Sequence, residues 1–369
     1  MSEEAEAAVV SGEPIVLSQR GQLNAFFRLS LRNGLLNLVT LTLYRFWGKT
    51  AVRRLLWSTT YLNEEPFEYT GRGIELFVGF LLALAVLVLP FLIAVFGAQF
   101  LGPAASLLVL LPLYAGLLFL LGFGRFTAFR YLATRTTWRG VRFHMRGTAR
   151  SFALSWIGYM LLSIITLGWF WPAADRRLAG RLWNSLSFGD HDFKFRIDVA
   201  RNEPVYGAFV LSGFLGTVAY LVYGGIVFLL LGPEMREAAG TGASTVPSLH
   251  EIILFYISFA VLVVLFAAAR APFHSAMLRS VVAGIGFRNV RFRLKLDWID
   301  MAVLTVTNML ILAVSFGFMM PLAEARARKL VLSRLKILGE YDLGQVSQAQ
   351  GLHPRTGEGL ADAFGIITV

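Results

Sequence analysis

The chain has 369 residues, 56% hydrophobic and 15% charged, with a mean hydropathy of +0.63. Soluble domains sit nearer about 45–50% apolar and about 25% charged, so composition excludes an ordinary soluble protein. The net charge of +11 lies in arginines and lysines flanking apolar runs, which points to anionic headgroups and topology rather than nucleic acid, and the lack of cysteine excludes disulfides, thiolate metal sites and cysteine nucleophiles.

Residues 1–20 read as a disordered polar tail, whose acidic start (MSEEAEAAVV) is no cleaved signal peptide. The apolar stretch Leu35–Leu43 is too short to cross a bilayer, which takes about 20 residues. Arg53 and Arg54 follow on a helix, Asn63–Pro66 is turn chemistry, and Phe67 and Tyr69 alternate with Glu68 as in a strand. Leu76–Phe96 and Pro103–Gly124 form a first helical hairpin of membrane length, and Val205–Leu231 with Ile252–Ala269 a second. Between them Ala153–Pro172 is apolar and broken at Gly168; Met301–Pro321 is a similar run near the end. Three basic stretches alternate with period two: Val141–Arg146, Phe193–Asp198 and Val290–Leu296. Each reads as a half-buried strand with one apolar and one cationic face.

The pattern recurs. Thr42–Trp47 lines up with Thr166–Trp171 at a spacing of 124 residues, and Ser315–Pro321 follows Thr166–Pro172 at 149. Val141-Arg142-Phe143 maps onto Val290-Arg291-Phe292, again at 149, and the spacings carry Arg53 onto Arg177 and Arg177 onto Arg326. Of 34 basic residues, only Arg236, in a loop closing a hairpin, and Arg45, in a short apolar stretch, lie outside the other polar segments. The remaining 32 fall on one side if only the two hairpins cross while 35–47, 153–172 and 301–321 dip in and return. The fold expected is thus a mainly α membrane protein, an internally repeated helical bundle. It has four spanning helices, three re-entrant or kinked apolar segments and short amphipathic β-hairpins at the cytoplasmic face. Its units run about 26–150, 151–299 and 300–345, inside one membrane domain at 21–345, with a polar tail at 346–369. Six or seven ordinary spans are the alternative.

Phe26–Glu75 carries F-x-L-x-L-x-N, LL-x-LVTLTLYRFW-x-K, W-S-T-T and F-E-Y-T-G-x-x-x-E-L. Together with TLGWFWP…FGDHDF and RFRLKL downstream, this resembles the YjgN family of bacterial inner-membrane proteins over roughly 20–340. The chain departs from it in reading Thr42-Leu43-Tyr44 where TLG is usual, and in a weak third copy at Ser315-Phe316-Gly317. The resemblance implies a bacterial inner-membrane location and a fold but no catalytic residues, since the family's activity is unassigned. It also implies a membrane-linked metallopeptidase as a candidate partner.

No Asp, Glu, Lys or Arg occurs in 76–124, 152–174, 205–233, 252–269 or 301–323, which argues against an ion-coupled pump. Thr305, Thr307 and Asn308 are the polar spots in the last apolar run, Asn308 reading first as an interhelical hydrogen bond. The five histidines lack HExxH spacing, and Asp190-His191-Asp192 fits a Gly-Asp hairpin turn better than a cation site. With no phosphate loop and no G-x-S-x-G, no enzyme, metal or cofactor is expected. Arg53, Arg177 and Arg326, each just after a break, are positive-inside anchors or ligands for an anionic headgroup or a helix end. The function expected is binding of anionic phospholipid or a membrane protein partner through a basic cytoplasmic face, both tails being cytoplasmic. The alternative is a transporter or channel for a small or lipidic solute.

Overall fold

The computed structural model describes residues 15–241 and 249–339. The expected tail at 346–369, most of that at 1–20, and the second-hairpin loop from 242 to 248 lie outside those residues. Strand β1 (Leu17–Gln19) falls within the first expected tail and is fastened to the protein. Val16 and Asn63 exchange hydrogen bonds, and Arg20 pairs with Glu64 while lying 4.9 Å over the Tyr61 ring.

Helices α1 (Leu23–Val39) and α2 (Arg45–Ser58) come next, then strands β2 (Thr60–Leu62), β3 (Glu65–Pro66) and β4 (Glu68–Tyr69). Helix α3 (Gly73–Ala83) continues through a π turn at Leu84–Val88 into α4 (Leu89–Ala98). Pro90 explains the widened turn, because its ring cannot sit against the carbonyl four residues back. Helix α5 (Pro103–Thr134) returns to strands β5 (Thr136–Trp138) and β6 (Val141–Met145). There follow α6 (Ala149–Ile165), α7 (Trp171–Trp183), β7 (Leu186–Phe188), β8 (His191–Phe195), a short α8 (Ile197–Arg201) and α9 (Val205–Thr241). Helices α10 (Leu249–Ala269) and α11 (Ala271–Gly284) lead to β9 (Ile285–Phe287), β10 (Val290–Leu294), α12 (Trp298–Val314), α13 (Met320–Arg334) and β11 (Leu335–Leu338).

Among the described residues, four helical stretches are long and apolar enough to cross a membrane: Gly73–Ala98, Pro103–Thr134, Val205–Leu229 and Ile252–Gly284. The apolar helices α6 and α12 have 17 residues each, about 25 Å of helix, and the chain reverses after both. The same reversal joins α1 to α2. In each turn two consecutive residues have positive φ: Leu41 and Thr42, Leu167 and Gly168, Phe316 and Gly317. The second of each pair donates its N–H five residues back, to Asn37 (2.6 Å), Ser163 (2.6 Å) and Leu312 (2.8 Å), closing the first helix. The hydroxyl of Thr40, Thr166 or Ser315 then accepts the N–H four residues on, opening the second. Each turn thrusts out a large apolar side chain, Leu41 being 84%, Leu167 96% and Phe316 90% exposed.

This geometry corrects one alignment. Thr40, not Thr42, makes the turn contact that Thr166 makes, and these two lie 126 residues apart rather than 124. Thr40-Leu41-Thr42-Leu43 repeats its own dipeptide, and only the hydrogen bonds tell the two frames apart. At 126, Ala51 is the counterpart of Arg177, and Arg53 falls on Ala179. Thr166 and Ser315 make the same contact 149 residues apart.

The strands follow the same two spacings. They form an eight-stranded antiparallel sheet in the order β11-β10-β9-β8-β7-β6-β5-β4 and a three-stranded one, β1-β2-β3. Glu68 pairs with Thr137 and Thr137 with Arg142; 126 or 149 residues on, Lys194 pairs with Gly286 and Gly286 with Arg291. His144 faces Ser187 as Arg293 faces Lys336. Two-residue turns with positive φ at the first position join β5 to β6, β7 to β8 and β9 to β10. One sheet face is aromatic: Phe143, Phe188, Phe193 and Phe287 stack across strands, and Phe143 and Phe193 also pack on Phe126, Leu178 and Leu182 of the helices. Phe195 fits against Gly180 of α7 and Gly284 of α11, where a Cβ would come within 2.8 and 2.6 Å of its ring. The last hairpin packs on the first through Phe26, Val52, Leu56, Leu322 and Ala325, with Phe318 seated on Gly34.

Candidate functional site

The arginines singled out from the sequence go to three different places. Arg53 is buried on α2, 3.3 Å from the Tyr69 hydroxyl and 5.7 Å from its ring centre, so it ties the helix to β4. Arg326 donates to Asn308 Oδ1 (2.7 Å) and Thr307 Oγ1 (3.0 Å), while Asn308 Nδ2 donates to the Ala323 carbonyl (3.2 Å). These bonds clamp α12 to α13. Thr305 donates to the Met301 carbonyl of its own helix. In the first hairpin Asn33 Nδ2 donates to the Gly48 carbonyl (3.3 Å), but Asn33 Oδ1 is buried without a partner among the described residues. Its missing donor is explained by Ala51, which stands where α13 has Arg326.

Arg177 is different. Its guanidinium lies 5.0 Å over Phe170 and 5.9 Å from the Tyr159 ring, on the wall of a pocket of about 540 Å³. That pocket opens where α7, α8 and the start of α9 meet. Arg176 and Arg201 line it with Arg177; Ala173, Glu203 and Tyr206 complete the wall. The residues come together because α7 folds back along α6 and α8 turns the chain into the third long apolar helix. Burial, with Arg201 and Arg177 nearby, holds the buried Arg176 guanidinium below its usual pKa. Glu203, the one carboxylate in this wall, is engaged by Arg279 at 3.1 Å. Three cations therefore converge beside the end of an apolar helix, where an anion relieves their mutual repulsion. Trp169 lies beside both Tyr206 and Phe209, adding aromatic groups of the type found at membrane interfaces.

In the first half of the chain different side chains stand at the corresponding positions. Trp47 occupies the position of Ala173 and packs on Gly73 at the start of α3, where a Cβ would lie 2.9 Å from the indole. Thr50 and Ala51 replace Arg176 and Arg177. Arg176, Arg201 and Ala173 were not picked out from the sequence. The signal that finds them is the Trp47–Ala173 exchange, visible only once the spacing is set at 126.

Asp190-His191-Asp192 forms the β7–β8 turn and the start of β8. Asp192 accepts from Arg146 (3.0 Å) and Ser187 (2.6 Å), and Asp190 lies 3.2 Å from His191. Among the described residues no group of three His, Cys, Asp or Glu side chains is placed to hold a metal.

Residues 16–363 match the model of a family described as bacterial protein of unknown function (DUF898). The chain is 23% identical over 270 residues to the inner membrane protein YjgN of Salmonella typhimurium, covering 64% of this chain and 66% of that one. It is 24% identical over 234 residues to the YjgN of Escherichia coli O157:H7, covering 54% and 57%. It thus spans less than two thirds of the length of either relative. No solved structure matches. A chain with four apolar helices of membrane length and this match over nearly its whole extent belongs to the DUF898 family of bacterial proteins, the family of the YjgN inner membrane proteins, whose function is unknown.

Proposed function

We propose that this chain is a non-enzymatic membrane protein that holds an anionic lipid headgroup in the Arg176–Arg177–Arg201 pocket. Four helices cross the membrane, and the three capped hairpins dip into it without crossing, in two full units and a partial third. The constant spacings of 126 and 149 residues in turns and strand register support the repeated architecture. The exposed Leu41, Leu167 and Phe316 support insertion of the tips, since an apolar side chain raised on a strained left-handed residue has little reason to face water. The sheet, with its arginines and lysines, belongs on the cytoplasmic side by the positive-inside tendency.

One observation carries the functional reading: three arginines line one open pocket, whereas at the same spacing the first half has Trp47 for Ala173 and Thr50 and Ala51 for Arg176 and Arg177. The transport reading has no comparable support, as Asn308 and Thr305 use their polar atoms within their own hairpin. The test is lipid retention by native mass spectrometry from discs of mixed anionic and zwitterionic phospholipid. Ala173→Trp, which copies the first unit, and Arg177→Gln should each lower retained anionic lipid about tenfold, with Arg177→Lys intermediate. Unchanged retention in all three refutes the reading.

A further inference from the structure

The sheet face turned away from the helices carries a second cationic feature, a groove of about 720 Å³ over β8, β9 and β10. Lys194, Gly286 and Arg291 form one row across three strands, with Arg196 beside it and Arg288 at its end. Two inter-strand spacings separate Lys194 from Arg291, roughly 10 Å between Cα atoms. The glycine between them leaves a floor without a side chain: a Cβ there would meet nothing nearer than Arg196 Nη2 at 3.4 Å. The carboxylates at the rim are occupied, Asp192 by Arg146 and Ser187, Asp190 beside His191. Lys194, Arg196 and Arg291 have no carboxylate partner among the described residues.

The chain contains its own control. At the same spacings the first half has Glu65 for His191, Glu68 for Lys194, Thr70 for Arg196 and Thr137 for Gly286, while Arg139 and Arg142 match Arg288 and Arg291. There Arg139 binds Glu65 (2.8 Å), Thr137 fills the floor, and its hydroxyl lies 3.4 Å from Glu68. Two carboxylates share this region with two arginines in the first half. In the second, the backbone register is kept while both carboxylates are gone and the floor is opened.

We infer that the Lys194–Gly286–Arg291 groove, with Arg196 and Arg288, binds a soluble phosphate-bearing anion of at least two negative charges. Clustered cations around an uncovered strand backbone favour such a ligand, since each phosphate oxygen takes a charge-assisted hydrogen bond. The groove opens opposite the aromatic face that meets the helices, which favours a soluble compound over a headgroup.

The probe is inorganic pyrophosphate, titrated calorimetrically into the full chain in zwitterionic discs. Saturable binding is expected, weakened about tenfold or more by Lys194→Glu and by Gly286→Thr, each copying the first half. Gly286→Thr leaves every charge in place and sits at a roomy strand position, so it reports on the site even if Lys194→Glu fails to fold. Arg177→Gln should leave this binding unchanged, which separates the groove from the lipid pocket. No heat up to about 5 mM, or equal binding by the wild type and both variants, overturns the inference. So does competition by phosphatidylglycerol vesicles, which makes the ligand a lipid. Binding of a polyglutamate peptide but not pyrophosphate also overturns it, and gives the face to an acidic protein partner.

Discussion

Replacing Asn308 by alanine tests whether the α12–α13 hairpin is held by its polar clamp or by apolar packing alone. The substitution removes the acceptor at 2.7 Å from Arg326 and the donor at 3.2 Å from the Ala323 carbonyl, leaving Arg326 with Thr307. A hydrogen bond to a charged group contributes about 1.5–3 kcal/mol and a neutral one about 1 kcal/mol. Interhelical bonds in membrane proteins average only about 0.6 kcal/mol, and Arg326 is only part-buried, so the lower end applies. The expected loss is about 2 kcal/mol. Asn308→Asp keeps an acceptor for Arg326 and should cost about 1 kcal/mol or less. The assay is reversible denaturant unfolding in mixed micelles, followed by tryptophan fluorescence. A double-mutant cycle with Arg326→Ala isolates the pair, with about 1 kcal/mol of coupling expected. Coupling under about 0.3 kcal/mol, the usual additivity error, refutes the clamp.

Thr42 holds a φ of 70° where the other two turns have glycine, so Thr42→Gly should stabilise the protein by about 1 kcal/mol, read as a rise in unfolding midpoint. A fall would mean that the turn needs the side chain. Gly34→Val drives a methyl into Phe318, whose ring lies 2.8 Å from the position of a Cβ, and should cost about 1–3 kcal/mol. Phe318→Ala in the same chain should recover part of that loss, and a fully additive pair would rule out the contact. Burial, aided by Arg146 and opposed by Asp192, holds the His144 imidazole below its ordinary 6.5. The unfolded chain therefore takes up the proton first, and stability should fall as pH drops through about 6.5 toward the lowered folded value. His144→Phe should flatten that slope; an unchanged slope would assign it to other groups.

Much of this protein is legible along the chain. Apolar runs such as Pro103–Gly124 and Val205–Leu231 need no partner to be recognised, because bilayer thickness sets their length. Period-two alternation at Val141–Arg146 and Val290–Leu296 placed strands, since a strand's two faces meet different surroundings. Asn308, read first as an interhelical hydrogen bond, donates to the Ala323 carbonyl of α13. The frame of the first turn was not legible, because Thr40-Leu41 and Thr42-Leu43 are the same dipeptide and hydrogen bonds alone choose between them. With the frame went the arginines. Arg53 looked equivalent to Arg177 but lies against Tyr69, while Arg176 and Arg201, 25 positions apart, meet only because α7 reverses and α8 turns. Local patterning is written residue by residue, so sequence alone determined a bacterial inner-membrane family, apolar helices of membrane length and amphipathic strands. Which cations converge, and that Trp47 packs on Gly73 while Ala173 lines a pocket, depends on distant segments packing together, and only the tertiary structure decided that.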